Sequence, residues 1–118
     1  MDQSADELSR AFAALADPVR RDIVARLTVG DATVSDLAAP YDMSLQAVSK
    51  HVMVLQDAGL VTRRREAQRR PVHLESEVLA TMTTWIERYQ RQAELRMARL
   101  EEVLTDLPSP DRTSGEDQ

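Results

Sequence analysis

Residues 33–60 read TVSDLAAPYDMSLQAVSKHVMVLQDAGL, and this stretch contains two helix starts separated by a proline. Thr33 and Asp36 have the spacing of a capping box, in which each side chain pairs with the backbone N–H of the other residue. The box predicts a short helix that ends before Pro40, because proline cannot continue a helix. Ser44 is a favourable N-cap for a second helix. Two helices joined by a turn of a few residues predict a helix-turn-helix.

The second of these helices has a buried stripe and a defined end. Apolar residues recur three or four positions apart from Leu45 to Leu55, and Gly59 predicts a left-handed stop. In a helix-turn-helix, the N-terminal part of the second helix contacts base edges in the major groove of DNA. The DNA-binding residues that we predict in this helix are Ser44, Leu45, Gln46, Ala47, Ser49, Lys50 and His51.

The side chains of this segment have the chemistry that DNA recognition needs. Gln46 can form a bidentate pair with adenine, and Leu45 or Ala47 can contact a thymine methyl group. Lys50 and His51 suit phosphate oxygens, and the positive end of the helix dipole adds attraction for a backbone phosphate.

Two short apolar segments, residues 60–62 and 72–74, flank an arginine-rich connection and predict a β-hairpin. No Asn-Gly or Asp-Gly occurs between them, so we expect a longer loop around residues 66–68. Pro71 cannot donate to a strand ladder, which predicts that its strand lies at an edge. Near the tip, we predict DNA contacts from Arg65, Gln68 and Arg69. The alternative is a solvated, charged hairpin without a ligand.

Helical periodicity also precedes the helix-turn-helix. Apolar residues from Leu8 to Leu15 follow helical spacing, and Asp17-Pro18 is an N-cap followed by proline in the first turn of a second helix, closed by Gly30. Arg20 and its neighbour Arg21 either contact phosphate or form salt bridges with nearby aspartates.

After residue 76 the helical period resumes and continues to residue 107, which predicts a helix of about 30 residues, on the order of 45 Å long. One small domain cannot bury a stripe of that length, so we expect a second copy of the chain to cover it. The interface residues predicted on this helix are Met82, Trp85, Ile86, Tyr89, Ala93, Met97, Leu100 and Leu104. An effector pocket around Trp85 and Tyr89 is the alternative.

The charge of the chain is unevenly distributed. The net charge is −5, but residues 44–73 carry six basic and two acidic side chains, a net +4. The rest of the chain carries nine basic and eighteen acidic residues, a net −9. A basic island on an acidic protein confines DNA contact to one face and discourages indiscriminate binding.

Composition excludes several classes of function. The chain has no cysteine and only two histidines, neither with a second ligand at metal-binding spacing, so we predict no metal site and no cofactor. The sequence contains no Gly-rich phosphate loop, no activated nucleophile and no paired carboxylates. It therefore does not predict an enzyme. No apolar run approaches the roughly 20 residues of a membrane span, and the acidic N-terminus is unlike a signal peptide. We expect a cytoplasmic protein.

Four segments resemble the ArsR-type winged-helix regulators. They are AFAALADPVRRDIVARL (11–27), TVSDLA (33–38), MSLQAVSKHVMVLQDAGLV (43–61) and RRREAQRRPVHLE (63–75). The resemblance extends from about Phe12 to Tyr89, roughly two-thirds of the chain.

The resemblance implies a homodimeric repressor that binds a palindromic operator. It implies that the helix beginning after Ser44 contacts the operator, that the hairpin, or wing, grips the DNA backbone, and that the terminal helices form the dimer interface. On this basis Leu8 and Phe12 of the first helix join the predicted interface.

Metal-sensing members of this family carry Cys-x-Cys in the third helix, where this sequence has Thr33 and Ser35. A second class of sensors uses histidines along the last helix, and here none follows His73. The sequence is therefore similar to the metal-independent branch, whose members are often encoded beside a START-like ligand-binding protein.

The sequence as a whole predicts a mainly α protein with a small β-hairpin wing. We expect a winged helix-turn-helix and dimerisation domain over residues 1–107 and a disordered acidic tail over 108–118. The predicted function is sequence-specific binding of double-stranded DNA at an inverted repeat, as a homodimeric repressor; whether an effector acts on it is open. The alternative is a winged-helix module for protein–protein contact.

Overall fold

The computed structural model describes the backbone of residues 3–107 and the side chains of residues 6–107. The expected tail at 108–118 lies outside the described residues. Contacts divide the chain into two units, with the boundary after Thr83. The expectation of one domain over residues 1–107 stays a prediction.

Five helices and two strands follow one another in the order that the sequence predicts. The helices are α1 (Gln3–Ala14), α2 (Pro18–Leu27), α3 (Val34–Ala38), α4 (Leu45–Asp57) and α5 (Ser76–Asp106), and the strands β1 (Val61–Arg63) and β2 (Val72–Leu74) pair between α4 and α5. This mainly helical architecture with a two-stranded hairpin confirms the predicted winged helix-turn-helix.

The predicted helix starts are confirmed at the level of single hydrogen bonds. The Asp17 carboxylate accepts the N–H of Arg20 at 3.1 Å and caps α2. Thr33 and Asp36 form the full capping box of α3. The hydroxyl of Ser44 accepts the N–H of Ala47 at 3.0 Å and starts α4. These caps satisfy N–H groups that the first turn of a helix leaves without a partner.

The end of α2 differs from the prediction. The helix stops at Leu27 rather than at Gly30, and Thr28 caps it in a right-handed conformation. The Thr28 hydroxyl donates to the carbonyl of Ala25 at 2.6 Å, so the last turn is closed without a left-handed glycine.

β1 and β2 are antiparallel, with Thr62 opposite His73. They form a two-stranded sheet, so β2 lies at an edge as predicted, and one isolated bridge beyond it joins Val72 to Ala32 through two hydrogen bonds of 3.2 and 2.7 Å. Pro71 leaves only one bond unmade: its carbonyl accepts the N–H of Arg64 at 2.9 Å, but it has no N–H to return.

The tip of the wing is tighter than expected. Glu66 and Arg69 exchange both backbone hydrogen bonds, at 3.0 and 2.8 Å, around the two residues Ala67 and Gln68. The longer loop was therefore a wrong prediction. Ala67 has φ of 52°, the left-handed conformation that the first position of a primed hairpin turn requires. Sequence reasoning assigned that conformation to Asn, Asp or Gly and so missed it at an alanine.

The core of the first unit lies between α1, α2, α3, α4 and the hairpin. Its largest fully buried side chains are Ile23, Leu37, Val48, Val52, Leu55, Leu60, Val61 and Val72. Met82 belongs to the same buried cluster and is only 5% exposed. The structure therefore corrects the prediction that Met82 lies in a dimer interface, because the first turns of α5 pack on the core of the first unit.

Gly59 offers a test of the junction after α4. It has φ of 78°, and a Cβ added there would lie 3.2 Å from Cγ2 of Val78. We expect Gly59→Ala to lower the free energy of unfolding by about 1–2 kcal/mol, because an L-residue is strained in this conformation. Gly30→Ala is the matched control, since nothing lies within 4 Å of its added Cβ. Urea unfolding measures the free energy of unfolding of both variants. Equal losses would contradict the left-handed conformation of Gly59.

Candidate nucleic-acid interface

α4 presents one face to the core and the opposite face to solvent. Val48, Val52 and Leu55 are fully buried and fix the rotation of the helix. Helical periodicity then places Gln46, Lys50 and Met53 together on the outer face, where all three are exposed.

The residues predicted to bind DNA divide by exposure. Those exposed on α4 or at its cap are Ser44, Leu45, Gln46 and Lys50, and those half-buried are Ala47, Ser49 and His51. Ser44 uses one lone pair for its cap and keeps its O–H as a donor. The exposed set gives α4 an outer surface with amide, ammonium and hydroxyl groups around its N-terminal half.

Met53 was missing from the sequence-based set. Its side chain is 56% exposed, and it stands seven residues after Gln46 and three after Lys50. The same periodicity that assigned the buried face would have found it. An exposed thioether on this face can contact a thymine methyl group.

Arg26 of α2 fixes the position of α3 and of the turn before α4. Its guanidinium donates to the carbonyls of Leu37 at 2.7 Å and Asp36 at 3.0 Å. It also lies 5.6 Å from the ring centroid of Tyr41, whose hydroxyl donates to the Asp22 carboxylate. Burial, with the Asp22 hydrogen bond next, raises the pKa of Tyr41, so the phenol stays protonated. No local pattern in the sequence signalled these contacts.

Arg20 connects three elements of the first unit. Its Nε donates to the carbonyl of Ala14 at 2.6 Å, at the end of α1, and its Nη1 lies 3.1 Å from Nδ1 of His51 in α4. Within residues 6–107 its guanidinium forms no ion pair with an aspartate, so the predicted salt bridge was wrong, whereas the phosphate contact stays a prediction. Arg21 donates to the carbonyl of Leu15 at 2.8 Å and stays exposed.

The wing carries its predicted contact residues at the tip. Arg65, Gln68 and Arg69 are all exposed. Arg63 in β1 is half-buried, and its Nε is the one buried side-chain nitrogen or oxygen of the described residues that has no hydrogen-bond partner. The tip arginines, rather than Arg63, are therefore available to a ligand.

Two ion pairs attach the wing to the segment before and within α3. Nη2 of Arg69 lies 3.4 Å from Oδ2 of Asp36, and Nδ1 of His73 lies 2.8 Å from Oδ1 of Asp31. The Arg69 pair is exposed on both sides, so a phosphate can compete for the guanidinium. These pairs hold the hairpin beside the start of the helix-turn-helix.

The capping carboxylates stay ionised well below neutral pH. The N–H of Arg20 is the main cause of the lowered pKa of Asp17, and the N–H of Thr33 is the main cause of the lowered pKa of Asp36. The stability that each ionised cap contributes is fully present above the unfolded-state pKa of its carboxyl group. It is lost as pH falls through the folded-state pKa of that group.

Comparison with known proteins assigns this arrangement to a family. The model of a helix-turn-helix domain matches residues 15–64. The HTH-type transcriptional regulator Rv2034 of Mycobacterium tuberculosis is 42% identical over 84 residues, which cover 71% of this chain and 78% of that protein. A crystal structure of an ArsR family transcriptional regulator is 37% identical and covers 80% of this chain and 97% of its own, with a TM-score of 0.71. The chain belongs to the ArsR family.

A further relative of known structure is the winged helix-turn-helix DNA-binding domain of Mb0332 from Mycobacterium bovis. That domain is homodimeric in solution and is named as a possible ArsR-family regulator. It is 26% identical and covers 76% of this chain and 84% of its own, with a TM-score of 0.60. This ArsR-family chain is accordingly a DNA-binding transcriptional regulator.

The positions that hold cysteines in metal-sensing ArsR proteins have another role in this member. Thr33 caps α3 with its hydroxyl, and Ser35 is exposed. His51 and His73 each contact a side chain of the domain. Within residues 6–107, no group of three or more His, Asp or Glu side chains is arranged to hold a metal ion.

The second unit of this ArsR-family protein exposes a row of apolar side chains along α5. We call this row the α5 stripe; it consists of Trp85, Ile86, Tyr89, Ala93, Met97, Leu100 and Leu104. The rings of Trp85 and Tyr89 lie 4.7 Å apart between centroids and are tilted by 52°. None of the described helices is both long enough and apolar enough to cross a membrane.

Proposed function

We propose that this ArsR-family protein represses transcription as a homodimer that binds an inverted repeat in double-stranded DNA. In this proposal α4 enters the major groove, and Ser44, Gln46 and Lys50 contact bases and phosphates. Leu45 and Ala47 touch thymine methyl groups, Ser49 and His51 contact the backbone, and the wing tip places Arg65, Gln68 and Arg69 on the neighbouring phosphates.

The observation that carries the proposal is the joint exposure of two basic elements on an acidic protein. Lys50 on the outer face of α4 and the tip arginines of the wing belong to residues 44–73, which carry a net charge of +4 while the rest of the chain carries −9. A phosphate backbone neutralises this segment, whereas the acidic remainder is repelled from DNA. The charge thus favours DNA at one surface of the domain.

The α5 stripe supports the homodimer. Six of its seven members are large apolar side chains between 43% and 67% exposed, which is costly in water along a helix of this length. A second copy of the same stripe is a self-complementary cover for it. Leu8 and Phe12 of α1 are further candidates for the interface; both are partly buried against the core.

Repression is the mode that the family resemblance implies, since a dimer on an operator blocks access to the DNA beneath it. We further propose that the protein is cytoplasmic, has no catalytic activity, and belongs to the metal-independent branch. A winged-helix module for protein–protein contact is the second candidate, and its acidic surface favours it.

Gel-shift titration against the upstream region of the protein's own operon, repeated across a salt series, separates these two functions. The repressor should form a specific complex whose affinity falls steeply as salt rises, because DNA binding releases counterions. A protein–protein module should form no specific DNA complex. That result would reject the repressor.

Base contacts and phosphate contacts should respond differently to substitution. We expect Gln46→Ala to relax sequence preference, with a loss of about 1–3 kcal/mol at one base position. Arg69→Ala should weaken binding to all sequences alike and lower the slope of log affinity against log salt by about 1. Competition titrations with operator and random DNA measure both quantities. Identical behaviour of the two variants would contradict the assigned roles.

A further inference from the structure

The contact between Arg20 and His51 determines which nitrogen of the imidazole carries the proton. Nη1 of Arg20 lies 3.1 Å from Nδ1 of His51. A guanidinium only donates hydrogen bonds, so Nδ1 must accept this one and cannot carry a proton. An imidazole whose Nδ1 accepts carries its ring proton on Nε2.

The carboxylate of Asp17 also lies near the ring and favours the opposite state, with a proton on Nδ1. Its Oδ2 lies 3.9 Å from Nδ1, beyond hydrogen-bond distance, and already accepts the N–H of Arg20 at 3.1 Å. The distance from Nη1 of Arg20 to Nδ1 of His51 is shorter than this. Two further hydrogen bonds, to the carbonyls of Ala14 and Ala13, hold the guanidinium of Arg20 in place. The Arg20 contact therefore decides the tautomer.

The second nitrogen of the ring is not enclosed by the protein. No described group pairs with Nε2 of His51, and within residues 6–107 this atom is not among the buried nitrogens and oxygens that lack a partner. Nε2–H therefore reaches solvent from a side chain that is 20% exposed. His51 directly follows Lys50 and lies at the flank of α4, between its buried and outer faces.

We propose that Arg20 is a positioning residue for DNA binding: it holds His51 in the Nε2–H tautomer, so that the ring donates a hydrogen bond to a phosphate oxygen of the DNA backbone. The proposal rests on the proposed function, since the acceptor is the DNA at α4. Arg20 touches no DNA in this scheme. It acts through His51 and, at the same time, ties α4 to the end of α1.

Long-range ¹H–¹⁵N NMR of the wild-type protein without DNA tests the tautomer directly. We expect the His51 ring at pH 7.5 to give the pattern of an Nε2–H tautomer. Arg20→Met should convert it to a mixture of both tautomers, whereas Arg21→Met should leave it unchanged. Arg21 is a matched control, because it bonds a carbonyl beside α1 without contacting His51. A wild-type ring with its proton on Nδ1 would overturn the proposal without any variant.

DNA affinity tests whether the tautomer matters. Arg20→Met should weaken binding about two- to five-fold, because in a mixture of tautomers only the molecules with the ring proton on Nε2 can donate to the phosphate. In a His51→Gln background the same substitution should leave the affinity unchanged within the error of the titration, because an amide N–H donates without a choice of tautomer. An equal loss in both backgrounds would mean that Arg20 acts only through the α1–α2 corner, and would overturn the proposal.

The two proposals fail in different ways. If the wild-type protein forms no specific DNA complex, the proposed function and this inference both fail. If the wild type binds DNA but His51→Phe binds as tightly, only the phosphate contact of His51 is overturned.

Discussion

The double charge reversal Lys50→Glu with Arg65→Glu should reduce affinity for operator DNA on the order of 100-fold or more, because two attractive phosphate contacts become repulsive. Both side chains are exposed, and neither has an ion-pair partner among residues 6–107. The substitutions therefore change the interface without unpairing a group of the domain. Arg69 is less suitable, because Arg69→Glu would also replace its ion pair with Asp36 by repulsion between two carboxylates.

Arg88→Glu with Arg91→Glu is the matched control for this experiment. It changes the net charge by the same amount on α5, in the second unit, where both arginines are exposed. We expect this control to lose less than about five-fold in affinity, the part that comes from net charge at long range. If the two double variants lose affinity equally, the DNA surface is not α4 and the wing.

Disrupting the α5 stripe should have the second large effect. Leu100 is 47% exposed, and Leu100→Glu places a charge in the middle of the proposed contact between two copies. We expect a monomer by light scattering. Affinity for the full inverted repeat should then fall about 10²–10⁴-fold, because the second half-site no longer binds intramolecularly.

Leu95→Glu controls for the cost of a charge on α5. Leu95 is 54% exposed but lies on the opposite face of the helix from the α5 stripe. It stands two residues from both Ala93 and Met97, about 200° around the helix axis from each. This variant should stay dimeric and bind the repeat normally. A monomer from Leu95→Glu but not from Leu100→Glu would move the interface to the other side of the helix.

Local chemistry was predictable in this chain. Asp17, Thr33 and Ser44 each cap a helix through a residue three positions later, and Gly59 stops α4 within its own turn. Both partners of such a contact lie within a few residues of each other in the sequence. A local pattern of residue types is therefore enough to predict it. The order and type of the elements followed from these signals and from the apolar periods.

Contacts between distant residues were not predictable in the same way. The pair of Ala32 with Val72 spans 40 residues, and the bond of Arg20 to His51 spans 31. Nothing beside Ala32 or Arg20 indicates these partners, because both arise from how whole elements pack. The wing tip failed for another reason: Ala67 adopts a conformation that its residue type disfavours.

Periodicity alone also left the assignment of α5 incomplete. The same apolar period passes through Met82 and Leu100, but Met82 is buried in the core and Leu100 is half-exposed. A period identifies a face of a helix, not the element that covers it. Where α5 leaves the core decides which apolar residues remain for a partner.

In vitro selection of bound DNA from a random library tests the central claim most directly: that two copies of this chain bind one operator through α4 and the wing. The account predicts enrichment of an inverted repeat whose half-sites lie about one helical turn, roughly 10 base pairs, apart. Enrichment of a single unpaired motif, or of no motif at all, would contradict it.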